Sequence, residues 1–236
     1  MKTNIIAATR EALTKNIDNK VKSSSSKFFK EAINVYGVKT ATVNKLAKSL
    51  FREIKHFSKS EIFNLCDELW RSGYLEDAVI ACNWSEKLSP QFSPEDISTF
   101  EKWIKLYVSN WASCDTLCNH TVGNFIQMFP QHIGRLKTWA QSPNQWMRRA
   151  STVSLIIPAR KGLFLNDIFE IADTLLYDKE DLVQKGYGWM LKAASQAYQK
   201  EVFDFVIERK ATMPRTALRY AIEKMPLELR KKAMEK

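Results

Sequence analysis

The chain has 236 residues, 45% of them hydrophobic, with 36 Lys and Arg against 26 Asp and Glu for a formal charge of +10. That length buries a sizeable core in one domain or one repeat stack, and only seven glycines and seven prolines leave few turns, so a strand-rich fold is excluded and helices dominate. The positive surplus favours a polyanionic partner, nucleic acid or anionic lipid, or else marks only a solvated basic surface.

From the N-terminus, Met1–Glu11 breaks its apolar run too early for a secretory signal, and no stretch reaches the roughly 18 apolar residues of a membrane span. A cytoplasmic protein is expected. Lys22–Lys27, with four serines, reads as a loop leading into the helix of Phe28, its serines either plain loop or exposed phosphosites. Helical periodicity then recurs to the C-terminus, broken at Ser72-Gly73, Ser89-Pro90, Phe129-Pro130, Ser142-Pro143, Pro158 and Met213-Pro214. The four cysteines, Cys66, Cys82, Cys114 and Cys118, lack metal-finger spacing, and three histidines supply no obvious second ligand pair. They read as small core residues, and no metal is expected.

Small residues stand at Ala78, Cys114, Ala150, Gly186 and Ala217, each inside a predicted helix and about 36 residues from the next until the last, shorter step. A two-helix unit cannot bury its apolar face alone, so such spacing suits neighbouring pairs stacked into a solenoid, with small residues where backbones approach. The expected fold class is therefore all-α, a HEAT-like repeat solenoid forming one domain over residues 1–236. An irregular helical bundle with coincidental spacing is the alternative.

Three helices carry side chains in unexpected places. On the helix beginning near Trp111, Asp115 falls about 40° from Trp111, among Val122, Cys118 and Phe125 in the apolar sector. A carboxylate there is costly unless paired, so it is either a satisfied structural ion or a working group. On the helix Asn144 to Ile157, whose core stripe is Trp146, Ala150, Val153 and Ile157, Arg149 lies partly inside the apolar sector. It either clamps a phosphate, pairs with Asp115, or snorkels past the stripe. On the helix Gln184 to Tyr198, the stripe Val183, Tyr187, Met190, Ala194 and Ala197 leaves Trp189 about 120° away. Beside it, Gly186 and Gly188 each cost the helix about 1 kcal/mol, as though a ligand or a neighbouring backbone came close.

The segments Asn110-Trp111-Ala112-Ser113-Cys114-Asp115, Trp146-Met147-Arg148-Arg149-Ala150 and Val183-Gln184-Lys185-Gly186-Tyr187-Gly188-Trp189 resemble the AlkD family of bacterial DNA alkylation repair glycosylases. The resemblance extends to the Tyr36-Gly37-Val38 turn and the closing Arg215-Thr216-Ala217-Leu218 helix, and so to nearly the whole chain. It implies a basic concave groove of HEAT-like repeats around double-stranded DNA. It also implies excision of cationic alkylpurines of the N3-methyladenine and N7-methylguanine type, by hydrolysis of the N-glycosidic bond without base flipping and without cofactor. By the same resemblance Asp115 is the catalytic carboxylate, Trp111 and Trp189 flank the deoxyribose, and Arg149 contacts a phosphate.

One departure stands out: Phe28 aligns where the family commonly has a tyrosine, keeping the ring and losing the hydroxyl. Arg148, Lys185, Lys192, Arg215 and Arg219, spread over successive repeats, are candidates to follow a phosphate backbone, or are ordinary wet-face charges. The expected partner is DNA containing alkylated purines, met by a monomer. The competing readings are a non-catalytic nucleic-acid binding module of the same architecture and a protein-interaction scaffold.

Overall fold

The computed structural model describes residues 2–25 and 27–235. Among these residues the fold is all-α, with no strand and a single isolated bridge between Asn34 and Tyr74. The chain forms two compact units, Met1–Leu117 and Cys118–Lys236.

The first unit holds α1 (Lys2–Thr14), α2 (Asn19–Ser25), α3 (Thr40–Ile54), α4 (Lys59–Arg71), α5 (Leu75–Lys87), α6 (Ile97–Leu106) and α7 (Trp111–Thr116). Helix α3 buries Val43, Ala47, Leu50 and Ile54, a stripe at helical spacing. Helix α4 starts at a capping box, in which the Ser58 hydroxyl accepts from the Glu61 N–H and the Glu61 carboxylate from the Ser58 N–H. It ends at Ser72-Gly73, where Gly73 takes a φ of +72° that a side chain would resist. Helix α5 packs against α3 and α4, and the buried Trp84 indole donates to the Ala47 carbonyl at 3.0 Å. The fully buried Trp84, Trp103, Phe100, Ile62 and Leu69 form this core.

The second unit holds α8 (Gly123–Met128), α9 (Ile133–Ala140), α10 (Gln145–Val153), α11 (Ile156–Arg160), α12 (Leu165–Thr174), α13 (Asp181–Ala194), α14 (Gln199–Arg209), α15 (Arg215–Ile222) and α16 (Leu227–Met234). Helices α9 and α10 pack as one pair, α12 and α13 as another, and α14 and α15 as a third. Helices α10, α13 and α15 are successive neighbours, as α3, α5 and α7 are in the first unit. All five small residues of the sequence spacing are buried on these helices, so backbones approach where Cβ atoms are fewest. Contacts between pairs repeat the interval: Arg71 to Tyr107, Trp103 to Asp67, Tyr198 to Gly162 and Arg209 to Asp173 are each 36 residues apart. The periodicity thus reports a translation along stacked helix pairs.

Four local expectations are corrected. The serine run is helical: Ser25 lies in α2 and its hydroxyl donates to the Val21 carbonyl at 2.8 Å, while Ser26 lies outside the described residues. Phe28 lies in no helix, because the chain stays irregular from 27 to 39. The helix expected to run from Asn144 to Ile157 is two, α10 and α11, because Pro158 has no N–H to offer the Ser154 carbonyl and its ring would strike it. The helix expected from Gln184 is α13, three residues earlier in its start, and it stops at Ala194, which leaves Ala197 exposed. All four cysteines are buried and outside any disulfide, as small core residues should be.

Asp77, in the first turn of α5, is fully buried with the Arg10 Nε 3.5 Å away. Burial pushes its carboxyl up from the ordinary 3.8, and the Ser72 hydroxyl and the Arg10 guanidinium offset that only in part. A folded-state pKa above the unfolded one means stability that is complete below pH 3.8 and lost as the pH climbs through the raised value. Asp77→Asn, which cannot ionise, is therefore expected to melt higher than the wild type at about pH 8, with the advantage gone at about pH 3. Melting curves of both proteins at the two pH values check this; an equal gain at both would mean that ionisation is not its source.

Candidate functional site

In the first unit, Asn110 caps α7, its side-chain oxygen accepting from the Ser113 N–H at 2.9 Å. An asparagine at this position satisfies a donor that the first turn leaves orphaned, and here the cap itself is buried. Trp111 is thereby fixed as the first helical residue, 36% exposed. Asp115 follows one turn later and is half-buried; four residues of regular α-helix set both side chains on one face. Beyond Thr116 the backbone widens into a π-helical stretch over Leu117–Val122. The sequence stripe assumed a constant 100° per residue, so the angles it gave beyond Thr116 shift. Cys118, Val122 and Phe125 are nevertheless fully buried.

The aromatic partner of Trp111 is Phe29. Their rings stack at 5.4 Å between centroids with 19° between planes, whereas Phe28, the residue singled out from the sequence, is 73% exposed. Adjacent phenylalanines in an irregular segment carry no periodicity from which to choose between them. The segment is held by Glu76, at the second position of α5, whose carboxylate accepts from the N–H groups of Tyr36, Gly37 and Val38 at 3.0, 2.8 and 3.0 Å. Gly37, at φ +94°, turns those three N–H groups toward one anion, and a Cβ there would lie 2.5 Å from the Lys22 Cβ.

In the second unit, Arg149 is buried on α10 with its guanidinium donating to the Leu182 carbonyl at the start of α13. Gly186 makes room for the neighbouring Thr152: a Cβ there would stand 2.7 Å from the Thr152 Oγ1, while an Arg149 terminal nitrogen, at 3.6 Å, would be in ordinary contact. Gly188 is explained by the next helix, since its Cβ would lie 2.7 Å from both the Ala217 carbonyl oxygen and the Tyr220 Cβ on α15. Both glycines thus answer to neighbouring helices, Gly188 to the close backbone the sequence reading allowed and Gly186 to a side chain. Trp189 follows Gly188 and is half-buried.

The basic candidates differ in what already occupies them. Arg148 meets Asp178 at 2.6 Å and donates to the Ser142 and Pro143 carbonyls at 2.9 and 3.0 Å, bridging the entry of α10 to the loop before α13. Lys185 pairs with Asp181 at 2.7 Å and Lys192 with Glu223 at 2.8 Å. Lys192 also lies 5.3 Å over the Tyr220 ring. Arg215 is exposed and reaches the Met234 carbonyl at 3.4 Å, and Arg219 is exposed. Among the described residues, no group of three His, Cys, Asp or Glu side chains stands where it would hold a metal ion, and no helix is long and apolar enough to cross a membrane.

Stacked helix pairs bearing a capped tryptophan–aspartate turn define the chain as a helical-repeat protein. The family model for DNA alkylation repair enzymes matches residues 9–225, and the chain belongs to that family. A solved structure described as a predicted DNA alkylation repair enzyme from Enterococcus faecalis is similar to it with a TM-score of 0.80. That likeness covers 90% of this chain and 98% of the other at 15% identity, and so speaks for the fold. No curated protein matches the chain. The family places the protein in the repair of alkylation damage and makes DNA its partner.

Proposed function

We propose that the protein is a DNA glycosylase that hydrolyses the N-glycosidic bond of purines carrying a fixed positive charge, such as N7-methylguanine and N3-methyladenine. The observation that carries this reading is a half-buried carboxylate, Asp115, one turn from a half-exposed Trp111 on a capped helix of a DNA alkylation repair family member. A binding module alone has no use for an anion facing a phosphate chain, which it would repel.

In the proposed reaction the C1′–N bond breaks and its electron pair neutralises the departing base, so no acid is needed to protonate it. Positive charge develops on the deoxyribose instead. Asp115 stabilises that cation and orients the water whose oxygen bonds to C1′, the water's proton passing to the carboxylate or to solvent. A fixed anion in a half-dry site acts more strongly than one in bulk water. The indole faces of Trp111 and Trp189 each add about 1 kcal/mol of attraction for a cationic sugar. Arg149 is assigned a phosphate, and Arg148, Lys185, Lys192, Arg215, Arg219 and Phe28 are assigned the flanking DNA. Lys185 need not be free beforehand, since an exposed ion pair such as Lys185–Asp181, worth about 1 kcal/mol or less, yields readily to a phosphate, whereas Arg148 and Arg149 would have to leave partly buried partners.

The test incubates the protein with duplex DNA containing N7-methylguanine and separates the released material by chromatography. Free 7-methylguanine and an equal amount of abasic site are expected. Tight duplex binding with no base released would favour the second reading, a non-catalytic DNA-binding module.

A further inference from the structure

The C-terminal end of the second unit carries a cleft of which the reading above uses only Arg219. After α15 the chain turns through Glu223–Pro226 and returns as α16, which is anchored by the buried Met225 and Ala233 and by the Arg215 bond to the Met234 carbonyl. Between the two helices lies a cavity of about 500 Å³, of the size that small-molecule sites have. Tyr220, Leu227 and Met234 give it an apolar lining, and Arg219, Arg230 and Lys231 a cationic one.

Two features of this cleft call for an occupant. Leu227 is 61% exposed although it stands at a cavity wall. The three cations make no ion pair among the described residues, and the one acid lining the cleft, Glu223, is already held by Lys192 at 2.8 Å. The Lys192 hydrogen bond keeps the Glu223 carboxyl below its usual range, against the effect of burial, and the charges of Lys192, Lys224 and Arg230 act in the same direction as that bond. Inorganic phosphate would satisfy the cations and leave the apolar wall wet. An uncharged aromatic ring would do the reverse. A flat heterocycle joined to a phosphate satisfies both, by apolar and stacking contact with Tyr220 and Leu227 and by charge-assisted hydrogen bonds from the arginines.

We infer that the α15–α16 cleft binds a single deoxynucleotide unit of DNA, with its base on the Tyr220, Leu227 and Met234 lining and its phosphate on Arg219, Arg230 and Lys231. The inference requires that the protein meets DNA, as its family does, and not that it excises a base. Absence of 7-methylguanine release would therefore leave it standing.

The experiment titrates the full chain by calorimetry with deoxyadenosine monophosphate, deoxyadenosine and inorganic phosphate as separate probes. The monophosphate is expected to bind at least about tenfold more tightly than either of the others. Arg230→Gln and Leu227→Glu are each expected to weaken it by about tenfold or more. Both side chains are exposed, so the variants should melt with the wild type. Equal affinity for the monophosphate and phosphate would reduce the cleft to an unselective anion site and overturn the inference. Monophosphate binding unchanged in both variants would place the nucleotide elsewhere and overturn it too. So would preferential binding to vesicles of anionic lipid, lost in the same two variants, because the cleft would then be a membrane contact.

Discussion

Asp115→Asn is expected to lower the rate of 7-methylguanine release by about 100- to 1,000-fold while leaving duplex affinity equal or higher. The substitution keeps the size and much of the hydrogen bonding of the side chain, so α7, capped by Asn110 and packed through the buried Cys114, should hold its place. What it removes is the negative charge. In the proposed reaction that charge does little for the bound substrate and much for the transition state, where the sugar turns cationic, so its loss appears in the chemical step. Preorganised groups of this kind are commonly worth about 3–4 kcal/mol when removed singly, which sets the range above. Affinity moves the other way because a carboxylate beside a phosphate backbone is repulsive. Single-turnover release and equilibrium binding measured on the same duplex separate the two effects. Wild-type and variant rates within about threefold would take Asp115 out of the mechanism.

Much of the architecture could be read from the sequence because repeat proteins write their geometry into spacing. The interval between Ala78, Cys114 and Ala150 is the interval between Asp67 and its partner Trp103, and between Gly162 and its partner Tyr198. Small residues mark backbone approach, and long-range partners recur at the same step. Positions that depend on a neighbour in space were less legible. Gly188 could be recognised as costly, but only α15 shows what the cost serves, a carbonyl and a Cβ where its own Cβ would stand. Arg149 likewise could be placed in an apolar sector, while the Leu182 carbonyl that takes its guanidinium lies 33 residues away.

The candidate site was legible in the same measure. Trp111 and Asp115 share a regular turn, so their common face followed from helical geometry alone. Phe29 did not follow, because it reaches Trp111 from an irregular segment whose path is set by Glu76. That glutamate begins α5 and looks, in sequence, like an ordinary acidic residue of a first turn. The π-helical stretch after Thr116 had no sequence signal either, and no pattern based on a fixed angle per residue can represent it.

Glu76→Ala is accordingly expected to be among the most damaging single changes in the first unit, at about 3–5 kcal/mol. Three N–H groups, two of them in buried bonds, lose their only acceptor from α5, and hydrogen bonds to a charged acceptor are each worth about 1.5–3 kcal/mol. Water recovers part of this at the half-buried Tyr36, which keeps the total below the simple sum. The loss spreads because the same turn carries the stack of Tyr36 on Tyr74, at 4.3 Å between centroids, and the bond from the Asp18 N–H to the Gly37 carbonyl at 2.9 Å. A melting temperature lower by roughly 10–20 °C is expected. Glu76→Gln should fall between, since its amide oxygen can still accept from Gly37 and Val38 while its NH₂ group confronts the Tyr36 N–H. Glu228→Ala, an exposed acid in the first turn of α16, serves as control and should stay within about 0.5 kcal/mol of the wild type. Release of the 27–38 segment also frees Phe29 from Trp111, so the tryptophan fluorescence of Glu76→Ala should change below its own melting transition. A melting curve for Glu76→Ala that superimposes on the control would mean that this carboxylate does not hold the turn.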